Sequence, residues 1–290
     1  MSYNQPKKLI YKPTLYYSEL FENNVKERTE TPKYPFGLHE IDDLIWGFHK
    51  DELLIIGARP SNGKTSFALQ GAWNLAKQGT KTVFISLEMS GANIIERIFC
   101  NEMYFHGWNL RKADPQEMAR FEVEKDKFDF RLFDAGLVII DDAGYTINQV
   151  EEIIQDIKPE FVFVDHAQQI HTQGNSSRYD AISNYVRGLQ EMAIKYHCGV
   201  VLNSQIKRGG DYLKGSGDLE ETADTILNLN WKVKNENDAL VDPMDFEVSV
   251  EKQRHGACDY RTINFDASHY KFTSRTESTA DLLLRVKSSR

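Results

Sequence analysis

The chain has 290 residues, of which 41% are hydrophobic and 27% charged, and its net charge at pH 7 is −8. This composition is typical of a globular protein and excludes fibrous and wholly disordered chains. The apolar runs, such as residues 53–56 and 137–140, are far shorter than a membrane span, and the N-terminus lacks a signal-peptide core. We therefore expect a cytoplasmic protein with no membrane partner. The negative charge argues against wholesale coating of nucleic acid but not against a local basic channel.

Residues 1–36 are polar and too few for a domain, but they contain a predicted amphipathic helix at residues 14–27. A proline-containing tether follows at residues 31–35. The helix would either pack on the chain's own core or dock on a neighbouring subunit, and the sequence favours neither. Helical spacing resumes at residues 38–45 and leads into an apolar strand-length run.

The stretch from residue 52 to residue 70 predicts a strand, a turn and a helix in that order. Its turn reads ARPSNGKT, the phosphate-loop pattern G-x-x-x-x-G-K-[ST] with Ala58 where the strict motif has glycine. Gly63 would let the backbone approach an anion, Lys64 would reach the β and γ phosphates, and Thr65 would offer its hydroxyl to Mg²⁺. The predicted nucleotide-binding residues are Ala58, Arg59, Pro60, Ser61, Asn62, Gly63, Lys64, Thr65 and Ser66. The alternative is a chance G-K-T before a helix, which the order of the elements disfavours.

Three later runs predict strands that end in a polar side chain. They cover residues 82–88, 161–165 and 199–205, and their last residues are Glu88, Asp165 and Gln205. In an open parallel sheet, ligands bind outside the carboxyl ends of the strands. Glu88 is therefore a candidate general base and Asp165 a candidate Mg²⁺ ligand, whereas Gln205 is either a γ-phosphate sensor or an ordinary strand-end amide. A solvated acid at a strand end remains the alternative for Glu88.

The remaining predicted elements complete an α/β fold. Helices are predicted at residues 66–77, 92–104, 147–157 and 180–196, a helix with a connection at 111–134, and strands at 137–141, 225–233, 245–253 and 261–266. The last three strands follow one another without intervening helices, which indicates an antiparallel extension of a mostly parallel sheet. Thr146 is the predicted N-cap of the helix at residues 147–157.

Two polar loops, after the strands that end at Asp165 and Gln205, are locally basic. Between residues 171 and 215 there are six Lys or Arg against three Asp or Glu. The candidate DNA-binding residues are Arg178, Lys207, Arg208 and Lys214. Side chains of this kind suit a phosphate backbone better than base readout. Solvated loops without a ligand are the alternative.

Six motifs, taken together, resemble those of DnaB-type replicative helicases. They are GARPSNGKTSFAL, SLEMS, VDHAQQI, NSQIKR, SGDLEETAD and EKQRHG, and they cover about residues 36–273 in the family's order. Ala58 is what these helicases commonly have. The resemblance implies a RecA-like P-loop NTPase core, with helices on both faces of a mostly parallel sheet. It also implies an ATP- and Mg²⁺-dependent homohexameric ring that moves 5′ to 3′ along single-stranded DNA.

The resemblance also implies roles for single residues. Lys64 and Thr65 would hold phosphate and Mg²⁺, Glu88 would activate the attacking water, Asp165 would support the metal, and Gln205 would couple the γ-phosphate to the DNA loops. Lys252 and Arg254 of EKQRHG match the family's basic finger, which completes a neighbouring subunit's site. Without the resemblance, these two would be interpreted as outward-facing charge on an exposed strand.

The expected organisation is an N-terminal arm with a linker helix at residues 1–36, an ATPase domain at 37–275 and a tail at 276–290. The family usually carries a helical domain that engages primase, and here only the arm precedes the motor, so a primase or helicase loader stays an open partner. His166 stands where the family commonly has tyrosine. Two alternatives to a helicase remain: a RecA-like recombinase or ATP-dependent DNA-binding switch, and an inactive partner that binds nucleotide for assembly only.

Overall fold

The computed structural model describes residues 14–26, 31–142, 144–166, 178–205, 221–231 and 245–275. The strands in these segments are β1 (Leu53–Ala58), β2 (Thr82–Ser86), β3 (Leu137–Ile140), β4 (Phe161–Asp165), β5 (Gly199–Gln205), β6 (Thr225–Trp231), β7 (Asp245–Gln253), β8 (Tyr260–Asp266) and β9 (Lys271–Thr273). The helices are α1 (Thr14–Lys26), α2 (His39–Ile45), α3 (Lys64–Lys77), α4 (Gly91–Met103), α5 (Gly107–Arg111), α6 (Pro115–Asp134), α7 (Ile147–Ile157) and α8 (Arg178–Tyr196).

The strands form a single sheet in the order β3-β2-β4-β5-β1-β6-β7-β8-β9. The first six strands of this order run parallel, and the last three continue the sheet antiparallel to β6 and to one another. The predicted mixed sheet is therefore confirmed. Because β1 lies between β5 and β6, the loop that follows it opens at the centre of the sheet.

Alternating side chains divide each central strand between two cores. In β1, Leu53 and Ile55 pack on the face covered by α7 and α8, whereas Leu54 and Ile56 pack on the face covered by α2, α3 and α4. All four side chains are at most 8% exposed. Burial on both faces explains why β1 reads as a continuous apolar run rather than as alternation.

Most predicted boundaries hold to within two residues, and the differences have local causes. The strand predicted at residues 82–88 ends at Ser86, because the Ser86 hydroxyl accepts a hydrogen bond from the Met89 N–H (3.0 Å) and turns the chain. Glu88 therefore lies in this turn rather than at the end of the strand. Thr146 caps α7 as predicted, with Gln149 closing a capping box. The three residues of β9 were not predicted, since they are too few to show a period.

The amphipathic helix α1 turns an apolar stripe outward. Tyr17, Phe21 and Val25 recur at every fourth position and are 54%, 62% and 40% exposed. These three side chains are therefore not packed into the described part of the chain's core. No helix among the described residues has both the length and the apolar character needed to cross a bilayer.

Candidate nucleotide site

The phosphate loop joins β1 to α3 at the carboxyl edge of the parallel strands. Gly63, with φ of 70°, precedes the first residue of α3, and its carbonyl accepts the Phe67 N–H (2.8 Å). Only glycine adopts this left-handed conformation at little cost. A β-carbon at Gly63 would also lie 2.7 Å from the Phe265 ring and 3.1 Å from the Phe272 ring. The antiparallel extension thus supports the loop from behind.

Asp165, at the end of β4, is held by one side chain from α3 and one from β5. Its Oδ2 accepts a hydrogen bond from the Thr65 hydroxyl (2.7 Å), and its Oδ1 accepts one from the Asn203 side-chain amide (2.9 Å). Asp165 and Asn203 are each 1% exposed. The predicted metal residues, Thr65 and Asp165, are therefore brought together.

A hydroxyl and a carboxylate in contact are the oxygen donors that Mg²⁺ prefers. The described residues contain no cluster of three or more His, Cys, Asp or Glu that could hold a metal alone. Mg²⁺ in nucleotide sites usually takes one or two protein ligands and completes its shell with phosphate oxygens and water. The pair Thr65 and Asp165 fits that mode of binding.

Glu88 contacts His166, the residue that follows Asp165. The strands β2 and β4 are neighbours with Ser86 opposite Asp165, so the residues that follow them emerge side by side. The Nδ1 of His166 lies 3.0 Å from Oε2 of Glu88. The Glu88 side chain is 55% exposed, which leaves its carboxylate open to water, whereas the His166 side chain is 7% exposed.

The electrostatics of the site centre on Lys64. Burial lowers the pKa of the Lys64 ammonium, and the charges of Asp165 and Glu88 act against that shift. Burial and the positive charge of Lys64 also lower the pKa of His166, again opposed by Asp165 and Glu88. A partly desolvated ammonium facing two carboxylates is suited to binding the phosphates of a nucleotide.

Gln205 ends β5, beside the start of the phosphate loop. The register places Gln205 opposite Ala58, and its side chain is exposed. The strands β4 and β5 are also neighbours, so the two loops predicted to bind DNA leave the same edge of the sheet as the nucleotide loop. Lys207, Arg208 and Lys214 lie outside the described residues, as does the side chain of Arg178, the first residue of α8.

Lys252 and Arg254 lie near the amino-terminal ends of the parallel strands, whereas the phosphate loop lies at their carboxyl ends. Because β7 runs antiparallel to β6, its last residue, Gln253, pairs with Thr225, which in turn pairs with Leu54 near the start of β1. The phosphate loop begins only after Ala58. Arg254 is level with Leu53, and the five residues from there to Ala58 span about 16 Å at 3.3 Å per residue. Within one chain, the two basic residues and the phosphate loop are therefore on opposite sides.

Two residues of the site, Asn203 and Arg97, were not predicted from the sequence. Asn203 is a polar residue inside a buried apolar strand, and this pattern could have indicated a buried hydrogen bond such as the one to Asp165. Arg97 of α4 donates from Nη1 to the Ser66 hydroxyl (3.4 Å), and its guanidinium lies 5.0 Å from the centre of the Tyr270 ring. Helical spacing gave no signal for Arg97.

The loop, the central sheet and the acid at the end of β4 define a P-loop core of the RecA-like α/β class. The family model of the DnaB-like helicase C-terminal domain matches residues 34–274. The chain therefore belongs to this family.

Three individual comparisons agree. A probable plasmid replicative DNA helicase of Chlamydia trachomatis serovar L2 is 31% identical over 256 residues, which cover 83% of this chain and 54% of that protein. A solved ATPase domain matches with a TM-score of 0.82 at 23% identity, over 91% of this chain and 99% of the other. A DnaB-like replicative helicase, solved in a study of its interactions with primase, matches with a TM-score of 0.78 at 24% identity, over 90% of this chain and 71% of the other. The chain spans about half the length of the curated relatives it matches.

Proposed function

We propose that this chain is the motor of a replicative DNA helicase, an ATP-hydrolysing homohexameric ring that moves 5′ to 3′ on single-stranded DNA. One observation carries the proposal. Lys64, Thr65, Glu88 and Asp165 converge at one edge of the sheet, whereas Arg254 lies at the other. Arg254 cannot reach the phosphate loop of its own chain, so in the proposed site it comes from a second copy, and a ring of copies provides that contact at every interface.

The reaction we propose uses these residues in separate roles. Lys64 binds the β and γ phosphates, and Mg²⁺ held by Thr65 and Asp165 would neutralise charge on them. Glu88 accepts a proton from the attacking water, a role for which its exposed carboxylate is suited. The buried His166 ring lies against that carboxylate, with Nδ1 3.0 Å from Oε2, and limits the positions that Glu88 can take. Arg254 of the neighbouring copy stabilises the charge that develops on the transferred phosphoryl group.

Coupling to DNA is supported by the order of the strands. Gln205 lies level with the phosphate loop and is the last residue before the basic segment that contains Lys207 and Arg208. A change in phosphate state at Gln205 would therefore pass directly into that segment. The exposed stripe of α1 supports the ring in turn, because an apolar helix face of this kind suits docking on another copy. Primase, named for one structural neighbour, is proposed as a partner on that description alone, and its co-sedimentation with the ring is the test.

Arg254→Ala tests the arrangement. The variant should keep ATP binding, since Arg254 is remote from the phosphate loop of its own chain, but its rings should lose hydrolysis by about 10³-fold or more. In mixed rings, Lys64→Ala copies, which keep Arg254, should restore hydrolysis to Arg254→Ala copies, which keep a working phosphate site. Mixed rings that hydrolyse no more ATP than the two variants do separately would refute a finger that acts between copies.

A further inference from the structure

Asp224 ties the finger to the strand that carries the phosphate loop. It is 6% exposed and lies just before β6. Its Oδ2 accepts a hydrogen bond from the Leu53 N–H (2.8 Å), and its own N–H donates to the Leu53 carbonyl (2.9 Å). On the other side, its Oδ1 lies 3.2 Å from Nε of Arg254, and its carbonyl accepts the Arg254 N–H (3.0 Å).

The backbone just before Asp224 holds the rest of the finger. Nη2 of Arg254 donates to the carbonyls of Glu221 (3.2 Å) and Thr222 (3.4 Å), and Nζ of Lys252 donates to the same Glu221 carbonyl (3.2 Å). Both basic side chains thus converge on one short segment. The Arg254 side chain is nevertheless 44% exposed, so the guanidinium is held along one edge and remains accessible at the surface.

We propose that Asp224 is the positioning residue of the finger: it orients Arg254 for the neighbouring copy's site and links it to Leu53, the first residue of β1. This inference rests on the proposed function, in which Arg254 acts between copies. A free arginine side chain loses rotamer entropy when it engages a target, and a side chain that is fixed in advance loses less. A buried carboxylate that holds Nε removes much of that freedom while leaving the outer edge of the guanidinium available.

The contacts of Asp224 affect two different ATP sites. Asp224 contacts Arg254, which acts at the neighbouring copy's site, and Leu53 of β1, the strand that leads to the phosphate loop of its own chain. If it positions the finger, its loss harms the neighbour's site. If it merely secures β1, its loss harms the site of its own chain. These two effects fall on different subunits and can be separated.

A complementation assay separates them. Lys64→Ala copies have no working phosphate site but keep their finger, and Arg254→Ala copies have a working site but no finger. We call the Lys64→Ala copy the finger donor and the Arg254→Ala copy the site donor. A mixture of the two should regain ATP hydrolysis at each interface where the finger of a finger donor reaches the phosphate site of a site donor. Asp224→Asn is then added either to the finger donor or to the site donor. Glu251 is an exposed carboxylate near the finger, so Glu251→Gln in the finger donor is the matched control.

In the finger donor, Asp224→Asn should reduce the regained activity by about tenfold, with KM for ATP unchanged, because the finger acts on the transition state. In the site donor it should change the activity by no more than about twofold, and Glu251→Gln should behave the same way in the finger donor. Equal loss in both positions, or loss only in the site donor, would overturn the proposal. If Asp224→Asn prevents ring assembly, Asp224→Glu, which keeps the charge and moves it by one methylene, enters the same mixtures with the same expected asymmetry.

The assay also reports on the proposed function separately. If the parent mixture of Lys64→Ala and Arg254→Ala copies regains nothing although both variants fold, the finger does not act between copies, and the proposed ring mechanism fails. If the parent mixture regains activity and Asp224→Asn has no effect in the finger donor, only the role of Asp224 is refuted.

Discussion

Gly63→Ala should destabilise the protein by about 2–5 kcal/mol, more than an alanine elsewhere at a similar backbone angle. The φ of 70° places a non-glycine residue in the left-handed region, which costs about 1–2 kcal/mol. The new methyl group would also lie 2.7 Å from the Phe265 ring, inside a packed core. Overpacking of this kind costs a further 1–3 kcal/mol or so.

Gly79→Ala is the matched control. Gly79 has φ of 81°, close to that of Gly63, but a β-carbon there meets no atom within 4 Å. It should therefore show the backbone cost alone, about 1–2 kcal/mol. Urea unfolding at equilibrium measures both variants, and nucleotide binding separates them further, since only Gly63→Ala displaces the phosphate loop.

The difference between the two variants isolates the contact between the phosphate loop and the antiparallel extension. Phe265→Leu should relieve part of the clash, so Gly63→Ala should cost less free energy of unfolding in that background than in the natural one. Equal costs at positions 63 and 79, or strict additivity of Gly63→Ala with Phe265→Leu, would show that the loop does not rest on the Phe265 ring.

Three further predictions concern side chains around the site and the extension. Asn203→Ala should raise the Mg²⁺ concentration needed for half-maximal hydrolysis by about 10- to 100-fold, since it removes the amide that holds Asp165; an unchanged Mg²⁺ titration would contradict that role. His166→Ala should lower kcat by about 10- to 100-fold with little change in KM for ATP, because Glu88 loses its buried contact, and steady-state kinetics with KM rising instead would show that His166 acts in binding. Burial would raise the pKa of the Asp266 carboxyl, but hydrogen bonds from His269 and the Ser268 N–H hold it below its usual value. Asp266 therefore stabilises the fold above the unfolded pKa of about 4, and Asp266→Asn should lower the midpoint of thermal unfolding at pH 7 but have a shrinking effect as the pH falls below 4 or so.

The sequence was sufficient wherever the signal is local. The strand Phe161–Asp165 is a run of buried apolar residues that ends in a carboxylate, and its predicted bounds are those of the structure. The same holds for Gly199–Gln205. The phosphate loop was also predictable from local sequence, because its glycine, lysine and hydroxyl residues are consecutive. It is preceded by an apolar run of strand length and followed by apolar residues at helical spacing.

The contacts between distant strands could not be read in this way. The pairing of Asn203 with Asp165 joins residues 38 positions apart and depends on β4 lying next to β5. The meeting of Glu88 with His166 depends on the order β3-β2-β4, which no local pattern encodes. The position of Arg254 relative to the phosphate loop could not be predicted either. The alternating pattern of β7 indicates an antiparallel strand, but it does not give the register with β6.

Strand displacement on forked DNA tests the central claim most directly. Forks with a 5′ tail or a 3′ tail are compared in the presence of ATP and Mg²⁺, with Lys64→Ala as the inactive control. The proposed motor should open the fork only when the 5′ tail is present, and the control should open neither. Hydrolysis that is stimulated by DNA while both forks stay closed would contradict the helicase and favour a RecA-like DNA-binding switch.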